Sequence, residues 1–289
     1  MDVAHTPVLL EEVTNNLVRD QDRLFVDATV GGGGHSSHIL AKYHSLNIIG
    51  LDIDEDTLHK AEKTLTDFGG RVTLIRGNFR DLKLCLETIG VSSFDSILFD
   101  LGLSTFQIAG HRGFSFNDDE FLDMRMDNRG SLTAYDVVNG YGYDALRRVI
   151  FEYGEEYRAS RIARVITEER KKNPITTAKE LSNVVLKAKR RTGRVHPATK
   201  TFQAVRIEVN GELQNLRTGL CAAIAMVAPQ GRIGVISFHS LEDRIVKETF
   251  RDSPFLNVVT KKPIRPGRPE IVANPRARSA KFRVAEKTK

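Results

Sequence analysis

The chain of 289 residues predicts an α/β fold, with a mostly parallel, doubly wound sheet and an inserted all-α domain. Three observations favour this fold. Short apolar strands alternate with helices over the first hundred residues, no convincing strand occurs between about residues 105 and 200, and the alternation then resumes. We therefore expect one discontinuous domain formed by residues 1–104 and 201–289, with residues 105–200 as an inserted helical domain.

The first part of the chain contains four apolar, β-rich segments that we interpret as strands. They are Leu24–Thr29, Asn47–Asp54, Val72–Gly77 and Ser96–Gly102. Helices are expected after the first three strands, at about residues 35–42, 56–68 and 82–89. Short strands separated by helices are typical of a parallel sheet that is covered on both faces.

The middle and the end of the chain carry signals of their own. Thr177 and Glu180 form a capping-box pattern ahead of an apolar stripe, which predicts a helix in the inserted domain. Gly231–Phe238 is predicted to be a fifth strand, and Ser240 and Asp243 are predicted to cap the following helix. The C-terminal segment offers two candidate strands around a loop rich in Pro and Arg.

Charge is distributed unevenly along the chain. Residues 1–144 hold 12 Lys and Arg against 23 Asp and Glu, whereas residues 145–289 hold 31 against 14. A half this basic favours a polyanionic partner, most simply nucleic acid. The alternative is a pair of oppositely charged halves that attract each other.

Several classes of protein do not match the sequence. The longest apolar run, Leu220–Ala228, is too short to span a bilayer, and the N-terminal segment has acids where a secretory signal needs basic residues. Cys85 and Cys221 lack metal or disulfide spacing and are expected to be small core residues. We expect a soluble, cytoplasmic protein without a metal site.

The stretch "DATVGGGGHS" places four glycines, Gly31 to Gly34, directly after the first predicted strand. Glycine allows positive φ and close approach of a ligand, and such a loop in a doubly wound sheet holds a cofactor. No Gly-Lys-Ser/Thr follows, so a phosphate loop is excluded. Asp52 ends the second strand, where a carboxylate binds ribose hydroxyls of either NAD or S-adenosylmethionine. A tight turn without a ligand is the alternative.

Two later residues favour S-adenosylmethionine. Phe79 follows the third strand, where its ring can pack on adenine, although the core is an equal alternative. Asp100 ends the fourth strand and suits the cationic methionine end of S-adenosylmethionine or an amine substrate. A carboxylate there is less compatible with the pyrophosphate of NAD. The alternative for Asp100 is a cap on the following turn.

Longer segments carry a family resemblance. They are "HTPVLLEEV" (His5–Val13), "DATVGGGGHSSHIL" (Asp27–Leu40), "DLGLSTFQI" (Asp100–Ile108), "RGFSF" (Arg112–Phe116), "LDMRMD" (Leu122–Asp127), "HPATKTFQAVRIEVNGEL" (His196–Leu213), "SFHSLEDRIVK" (Ser237–Lys247) and "NPRARSAKFR" (Asn274–Arg283). Through them, essentially the whole chain resembles the ribosomal RNA small subunit methyltransferase H family, bacterial enzymes that methylate N4 of a cytidine in 16S rRNA.

The resemblance implies a class I S-adenosylmethionine-dependent methyltransferase, which is Rossmann-like, with a helical insertion that recognises substrate. It implies S-adenosylmethionine as cofactor and 16S rRNA, at the decoding centre of the small ribosomal subunit, as partner. The cofactor contacts it implies are Gly33, Gly34, His35, Asp52, Phe79, Asp100 and Gln107. The chain departs from the family in "DLGLST", where Val and then Ser-Ser are usual. Monomer and homodimer both stay open.

Candidate substrate residues lie in two motifs. In "RGFSF", Phe114 and Phe116 are candidates for stacking on an extruded base and Arg112 for phosphate, with a core role as the alternative for both rings. In "FHSLEDR", the candidates are His239, Ser240 and Glu242, and a structural role is the alternative for the histidine. Asp100 is also the candidate acceptor near N4.

Two basic clusters are predicted to contact RNA. The insert cluster is Lys187, Lys189, Arg190, Arg191 and Arg194, and the tail cluster is Arg276, Arg278, Lys281 and Arg283. Three other functions stay open at this stage. They are an amino methyltransferase acting on DNA or a small molecule, an NAD-linked oxidoreductase, and a non-catalytic RNA-binding assembly factor.

Overall fold

The computed structural model describes residues 7–102, 112–116, 119–191, 193 and 195–288. Within them, seven strands form one sheet in the order β3-β2-β1-β4-β5-β7-β6. The strands are β1 (Leu24–Asp27), β2 (Asn47–Asp52), β3 (Val72–Arg76), β4 (Phe94–Asp100), β5 (Val227–Ser237), β6 (Leu256–Val258) and β7 (Lys281–Lys287).

The first five strands are parallel, and β7 runs antiparallel between β5 and β6. The strand order reverses between β1 and β4, which creates a crevice at the carboxyl ends of these strands. The predicted mostly parallel sheet is therefore confirmed, and β6 and β7 are the two candidate strands of the C-terminal segment.

Helices connect and cover the strands. They are α1 (Leu10–Leu17), α2 (Gly34–Lys42), α3 (Glu55–Leu65), α4 (Leu82–Glu87), α5 (Ala134–Gly140), α6 (Tyr143–Gly154), α7 (Ala159–Glu169), α8 (Ala178–Ala188), α9 (Thr199–Asn210), α10 (Glu212–Met226), α11 (Ser240–Asp252) and α12 (Arg268–Ala273). In the described part of the chain, no helix has the length and apolar character needed to cross a membrane.

Consecutive residues of the central strands point to opposite faces of the sheet, and each face has its own apolar core. Val26 and Phe99 pack with residues of α10 and α11 on one face. Phe25 and Leu98 pack with residues of α1, α2 and α3 on the other. The continuous apolar runs in the sequence follow from this burial on both faces.

Several local predictions are wrong, among them those for the end of β2, the start of β5 and the burial of Cys221. The second strand ends at Asp52 instead of Asp54, because the Asp54 side chain accepts a hydrogen bond from Asp56 N and caps α3. The fifth strand begins at Val227, ahead of the predicted Gly231. Cys221 is exposed, because the buried stripe of α10 runs through its neighbour Leu220 and turns away from position 221.

Contacts divide the chain into two compact units. One comprises Met1–Ser104 with Leu213–Lys289, and the other, here called the inserted unit, comprises Thr105–Glu212. The second boundary lies later than the predicted one at residue 200, because α9 packs within the inserted unit. Gln203 Nε2 of α9, for example, donates to Tyr153 O of α6 at 2.9 Å.

The units do not coincide with the acidic and basic halves of the sequence. The inserted unit holds 19 Lys and Arg against 15 Asp and Glu, and the other unit holds 24 against 22. Each unit is close to balanced, so the charge asymmetry along the sequence is not an asymmetry between compact units. Local surfaces, and not whole units, must therefore carry any electrostatic attraction of a polyanion.

Candidate functional site

The turn after β1 requires its glycines. Gly31 and Gly33 have φ of 53° and 83°, in the left-handed region, and Gly33 is the N-cap of α2. A Cβ at Gly34 would lie 2.5 Å from Pro7 Cγ, so close packing also requires a glycine there. The turn therefore brings bare backbone and the N–H groups of the first turn of α2 to the carboxyl end of β1.

Asp52 joins this turn to the end of β2. Its Oδ2 accepts from Gly31 N at 3.0 Å, and its Oδ1 accepts from Asp54 N at 2.9 Å. Burial raises the pKa of Asp52 to about 7, although both hydrogen bonds act in the opposite direction. A carboxylate in this position can accept hydrogen bonds from two hydroxyl groups of a ribose.

Asp100 ends β4, on the other side of β1. Its backbone N donates to Thr29 Oγ1 at 2.7 Å. Its Oδ1 is buried and has no hydrogen-bond partner among the described residues. Burial raises the pKa of Asp100 to about 7, and the charge of Glu242 adds to this effect. A buried acceptor of this kind fits a ligand group that donates a hydrogen bond and carries positive charge.

His35 lies beside Asp100. Its Nδ1 is 3.8 Å from Asp100 Oδ2, and its Nε2 is 3.0 Å from Val8 O. Because a carbonyl oxygen only accepts, the proton of the neutral ring belongs on Nε2 and the lone pair on Nδ1. The predicted residues Gly33, Gly34, His35, Asp52 and Asp100 thus meet at one edge of the sheet, whereas Gln107 lies outside the described residues.

Asp27, the last residue of β1, also lies at this edge and was not among the predicted site residues. This side chain is buried, and its Oδ2 accepts from Ser36 Oγ at 2.7 Å. Burial raises its pKa, as it does for the two other carboxyls at this edge. An acid that ends an otherwise apolar strand, eight residues before His35, was the available signal.

Phe79 lies in a short 3₁₀ helix after β3. Its ring packs edge to face on Phe99 of β4, with centroids 5.6 Å apart. A Cβ at Gly219 of α10 would lie 2.8 Å from the same ring. The core contact considered for Phe79 is therefore present, and its contact with adenine stays a prediction.

His239 and Glu242 form the N-terminal cap of α11. His239 Nδ1 accepts from Glu242 N at 3.3 Å, and Glu242 Oε2 accepts from His239 N at 3.2 Å. The predicted cap at Ser240 and Asp243 is wrong by one residue, because the Asp243 carboxylate instead binds Lys281. The structural alternative for His239 is present, and a substrate role for His239, Ser240 and Glu242 stays a prediction.

The three candidate substrate residues of "RGFSF" lie in the inserted unit. Arg112 Nη1 donates to Met126 O at 3.2 Å, which ties the guanidinium to a loop. Phe114 is buried, and Phe116 stacks on His196 with centroids 4.4 Å apart and planes 5° apart. Phe114 is thus a core residue in the structure, and one face of Phe116 is already covered.

Many cations of the two basic clusters have acidic partners. Lys187 binds Glu169 at 2.6 Å and Lys189 binds Glu156 at 2.6 Å. In the tail cluster, Lys281 and Arg283 bind Asp243 at 2.9 and 2.7 Å. Arg190, Arg191, Arg276 and Arg278 are exposed, as is Lys187, and Arg194 lies outside the described residues.

Comparisons with known proteins identify the family of the chain. The model of the MraW methylase family matches residues 2–288. The ribosomal RNA small subunit methyltransferase H of a Sulfurihydrogenibium species is 49% identical, over 99% of both chains. The protein of the same name from Carboxydothermus hydrogenoformans is 45% identical, also over 99% of both. Among solved structures, an rRNA methylase from Streptococcus thermophilus has a TM-score of 0.42 and 12% identity, covering 97% of this chain and 94% of that one.

Proposed function

Because the chain belongs to the MraW methylase family, we propose that it transfers the methyl group of S-adenosylmethionine to N4 of a cytidine in 16S rRNA of the small ribosomal subunit. The observation that carries the methyl-transfer chemistry is the buried Oδ1 of Asp100 beside the glycine turn, which has no hydrogen-bond partner within the described part of the chain. The names of the full-length relatives supply the substrate class.

S-adenosylmethionine supplies an electrophilic methyl group on a cationic sulfur. The residues at the sheet edge match the rest of its chemistry. Asp52 can accept hydrogen bonds from the ribose hydroxyls, and Asp100 can accept one from the cationic methionine end. The bare backbone of Gly33 and Gly34 leaves room for close approach, and Phe79 is the candidate neighbour of adenine.

The acceptor atom makes strong demands on alignment. The lone pair of the cytosine amino group is delocalised into the ring, so N4 is a weak nucleophile. Holding N4 in line with the methyl group and the sulfur supplies much of the rate enhancement. N4 must also lose a proton as it gains the methyl group. Asp100, with a pKa raised to about 7, is the candidate acceptor for that proton near neutral pH.

The target base has to leave its stack to reach the methyl group. The partly exposed ring of Phe116 and the exposed arginines of the inserted unit are candidate contacts for the displaced strand. Arg112 is the candidate phosphate contact, and its guanidinium also holds the loop at Met126.

Methyl transfer from labelled S-adenosylmethionine tests this proposal. The substrates are small ribosomal subunits that lack the modification, naked 16S rRNA, duplex DNA and free cytidine, and mass spectrometry identifies the product nucleoside. We expect N4-methylcytidine with the ribosomal substrates only. Transfer to DNA or free cytidine would contradict the proposed rRNA substrate. Tight binding of NADH would contradict the proposed methyl-transfer reaction. Cofactor binding without transfer to any substrate would favour an assembly factor.

A further inference from the structure

A single exposed aromatic residue marks the turn between α6 and α7 in the inserted unit. Tyr157 is 91% exposed, more than any other large apolar or aromatic side chain in the described part of the chain. Isolated exposed apolar residues are common on proteins, so exposure alone assigns no role. The construction of the turn and the charges around it provide the further information.

Hydrogen bonds from α9 hold this turn in place. Lys200 Nζ donates to Glu155 O at 2.7 Å, and Gln203 Nε2 donates to Tyr153 O at 2.9 Å. Glu155 has φ of 47°, and a Cβ at Gly154 would lie 2.6 Å from Lys200 O. The backbone that carries the tyrosine is therefore closely packed and hydrogen-bonded. Stacking of a ligand on the ring then costs little conformational entropy, because the backbone is already ordered.

The charges near the tyrosine are mostly positive. Lys200 Nζ lies over the ring, 5.8 Å from its centroid. Of the two acids in the turn, Glu156 is buried, and its carboxylate binds Lys189 Nζ at 2.6 Å. Arg158 follows directly and is exposed, as are Arg161 at the start of α7 and Arg190 next to Lys189.

We propose that Tyr157 is a stacking platform for an unpaired nucleotide of the RNA substrate, with Lys200 on its other face and Arg158 and Arg161 near the phosphates. Unpaired bases stack on exposed aromatic rings, and neighbouring cations neutralise the backbone. The charged surroundings are unlike the apolar core of a protein interface, which favours RNA over a protein partner. The inference rests on the proposed RNA substrate and adds a named contact in the inserted unit.

Fluorescence gives a direct test, because the chain contains no tryptophan. Tyr157→Trp introduces a single reporter that keeps an aromatic face. The probe is an unstructured oligouridine of about twelve nucleotides, within the range of single-strand binding sites. Phe255→Trp is the matched control, since Phe255 is 59% exposed and lies in the other unit. We expect RNA to quench the indole of Tyr157→Trp far more than that of the control variant, and an abasic strand of equal length to quench neither.

Binding of the small ribosomal subunit gives the second arm. Tyr157→Ala should weaken binding by roughly five- to a hundredfold, the range for loss of one stacked base, whereas Tyr157→Phe should bind like the wild type. Affinity for S-adenosylmethionine should be the same in all three proteins. Unchanged RNA binding by Tyr157→Ala, or equal quenching by the abasic strand, would overturn the inference.

The two proposals fail separately. If the wild type methylates rRNA but Tyr157→Ala binds it equally well, only the stacking platform is wrong. If the wild type methylates no RNA but the base-bearing strand alone quenches the Tyr157→Trp variant, the platform stands and the proposed reaction is wrong.

Discussion

The strand ends and the inserted unit use charge in opposite ways. Asp27, Asp52 and Asp100 are carboxylic acids clustered at one sheet edge, and none of them binds a Lys or Arg within the described residues. In the inserted unit, Lys187 and Lys189 are both neutralised by acids. Desolvated carboxylates without a cationic partner reduce stability and tend to persist where a ligand completes them, whereas ion pairs within a surface cluster contribute little of their own. The unpaired acids are therefore the stronger functional signal.

Replacing Asp100 should have the largest effect. Asp100→Asn keeps the shape but loses the charge, so we expect methyl transfer to fall by more than roughly a hundredfold and cofactor binding to weaken. The midpoint temperature of unfolding at pH 8 should be unchanged or slightly higher, because burial disfavours the native carboxylate. Turnover and calorimetry measure these effects.

Asp95, in the same strand, offers a matched control. Its Oδ2 accepts from Arg23 N and Leu24 N at 2.7 and 2.9 Å. Asp95→Asn should therefore lower the free energy of unfolding and leave cofactor affinity close to that of the wild type. Normal cofactor binding and wild-type turnover in Asp100→Asn would exclude Asp100 from cofactor binding and from methyl transfer.

Asp243 differs from the acids at the sheet edge because its carboxylate has cationic partners. Asp243 holds Arg283 and Lys281, and the Arg283 side chain is only 9% exposed. Asp243→Asn should lower the free energy of unfolding by about 3 kcal/mol, because it leaves the buried guanidinium without its counter-charge. Chemical denaturation measures the loss. If stability were unchanged but RNA binding fell, Lys281 and Arg283 would belong to the RNA-binding surface instead.

The pH dependence of cofactor binding follows from the raised pKa values. Asp52 and Asp100 titrate near 7, so affinity should rise by roughly tenfold for each of them between pH 6 and pH 8. Burial is the main cause of both raised pKa values, and the charges of Asp54 and Asp27 near Asp52 and of Glu242 near Asp100 add to it. His35 also faces Asp100. Calorimetric titration across this range checks the slope.

The raised pKa values of Asp52 and Asp100 also make the stability of the cofactor-free protein depend on pH. Both pKa values are higher in the folded protein than in the unfolded chain, where they are near 4. The stability that these groups contribute below pH 4 is therefore lost as the pH rises through 7. Saturating S-adenosylmethionine should reverse this trend between pH 6 and 8. A flat affinity profile would mean that neither acid faces the ligand.

The smallest effects are expected in the insert cluster. Arg190 and Arg191 are exposed, so Arg190→Gln with Arg191→Gln should reduce the salt slope of RNA binding by roughly 1.5, the value for two lost phosphate contacts. Lys187→Gln is the control and should change it little, because Glu169 already neutralises Lys187. Equal slopes for all three proteins would exclude this face from RNA binding.

The sheet and its edge were predictable because their signals are local. The glycine turn, Asp52 and Asp100 follow strands whose apolar runs reflect burial on both faces, and parallel strands bring their carboxyl ends together. The same reasoning missed Asp27, which looks like part of its strand. It also placed the cap of α11 one residue late, since a histidine N-cap is unusual.

The charge network was not predictable, because its partners come from distant parts of the chain. Glu156 is 33 residues from Lys189, and Asp243 is 40 residues from Arg283. A count of basic residues therefore overstates the free charge of both clusters. Tyr157 escaped notice for a related reason, since only packing against α9 shows that its turn is fixed.

Proton release on cofactor binding shows whether Asp52 and Asp100 ionise to hold the ligand. Titration of the protein with S-adenosylmethionine at pH 6, in two buffers of different ionisation enthalpy, counts the protons. Asp52 and Asp100 have pKa values of about 7, so we predict release of more than about one proton per ligand, falling toward zero above pH 8. Asp100→Asn should release about half as many. Binding at pH 6 without proton release would contradict the claim that these buried carboxyls ionise to hold the ligand.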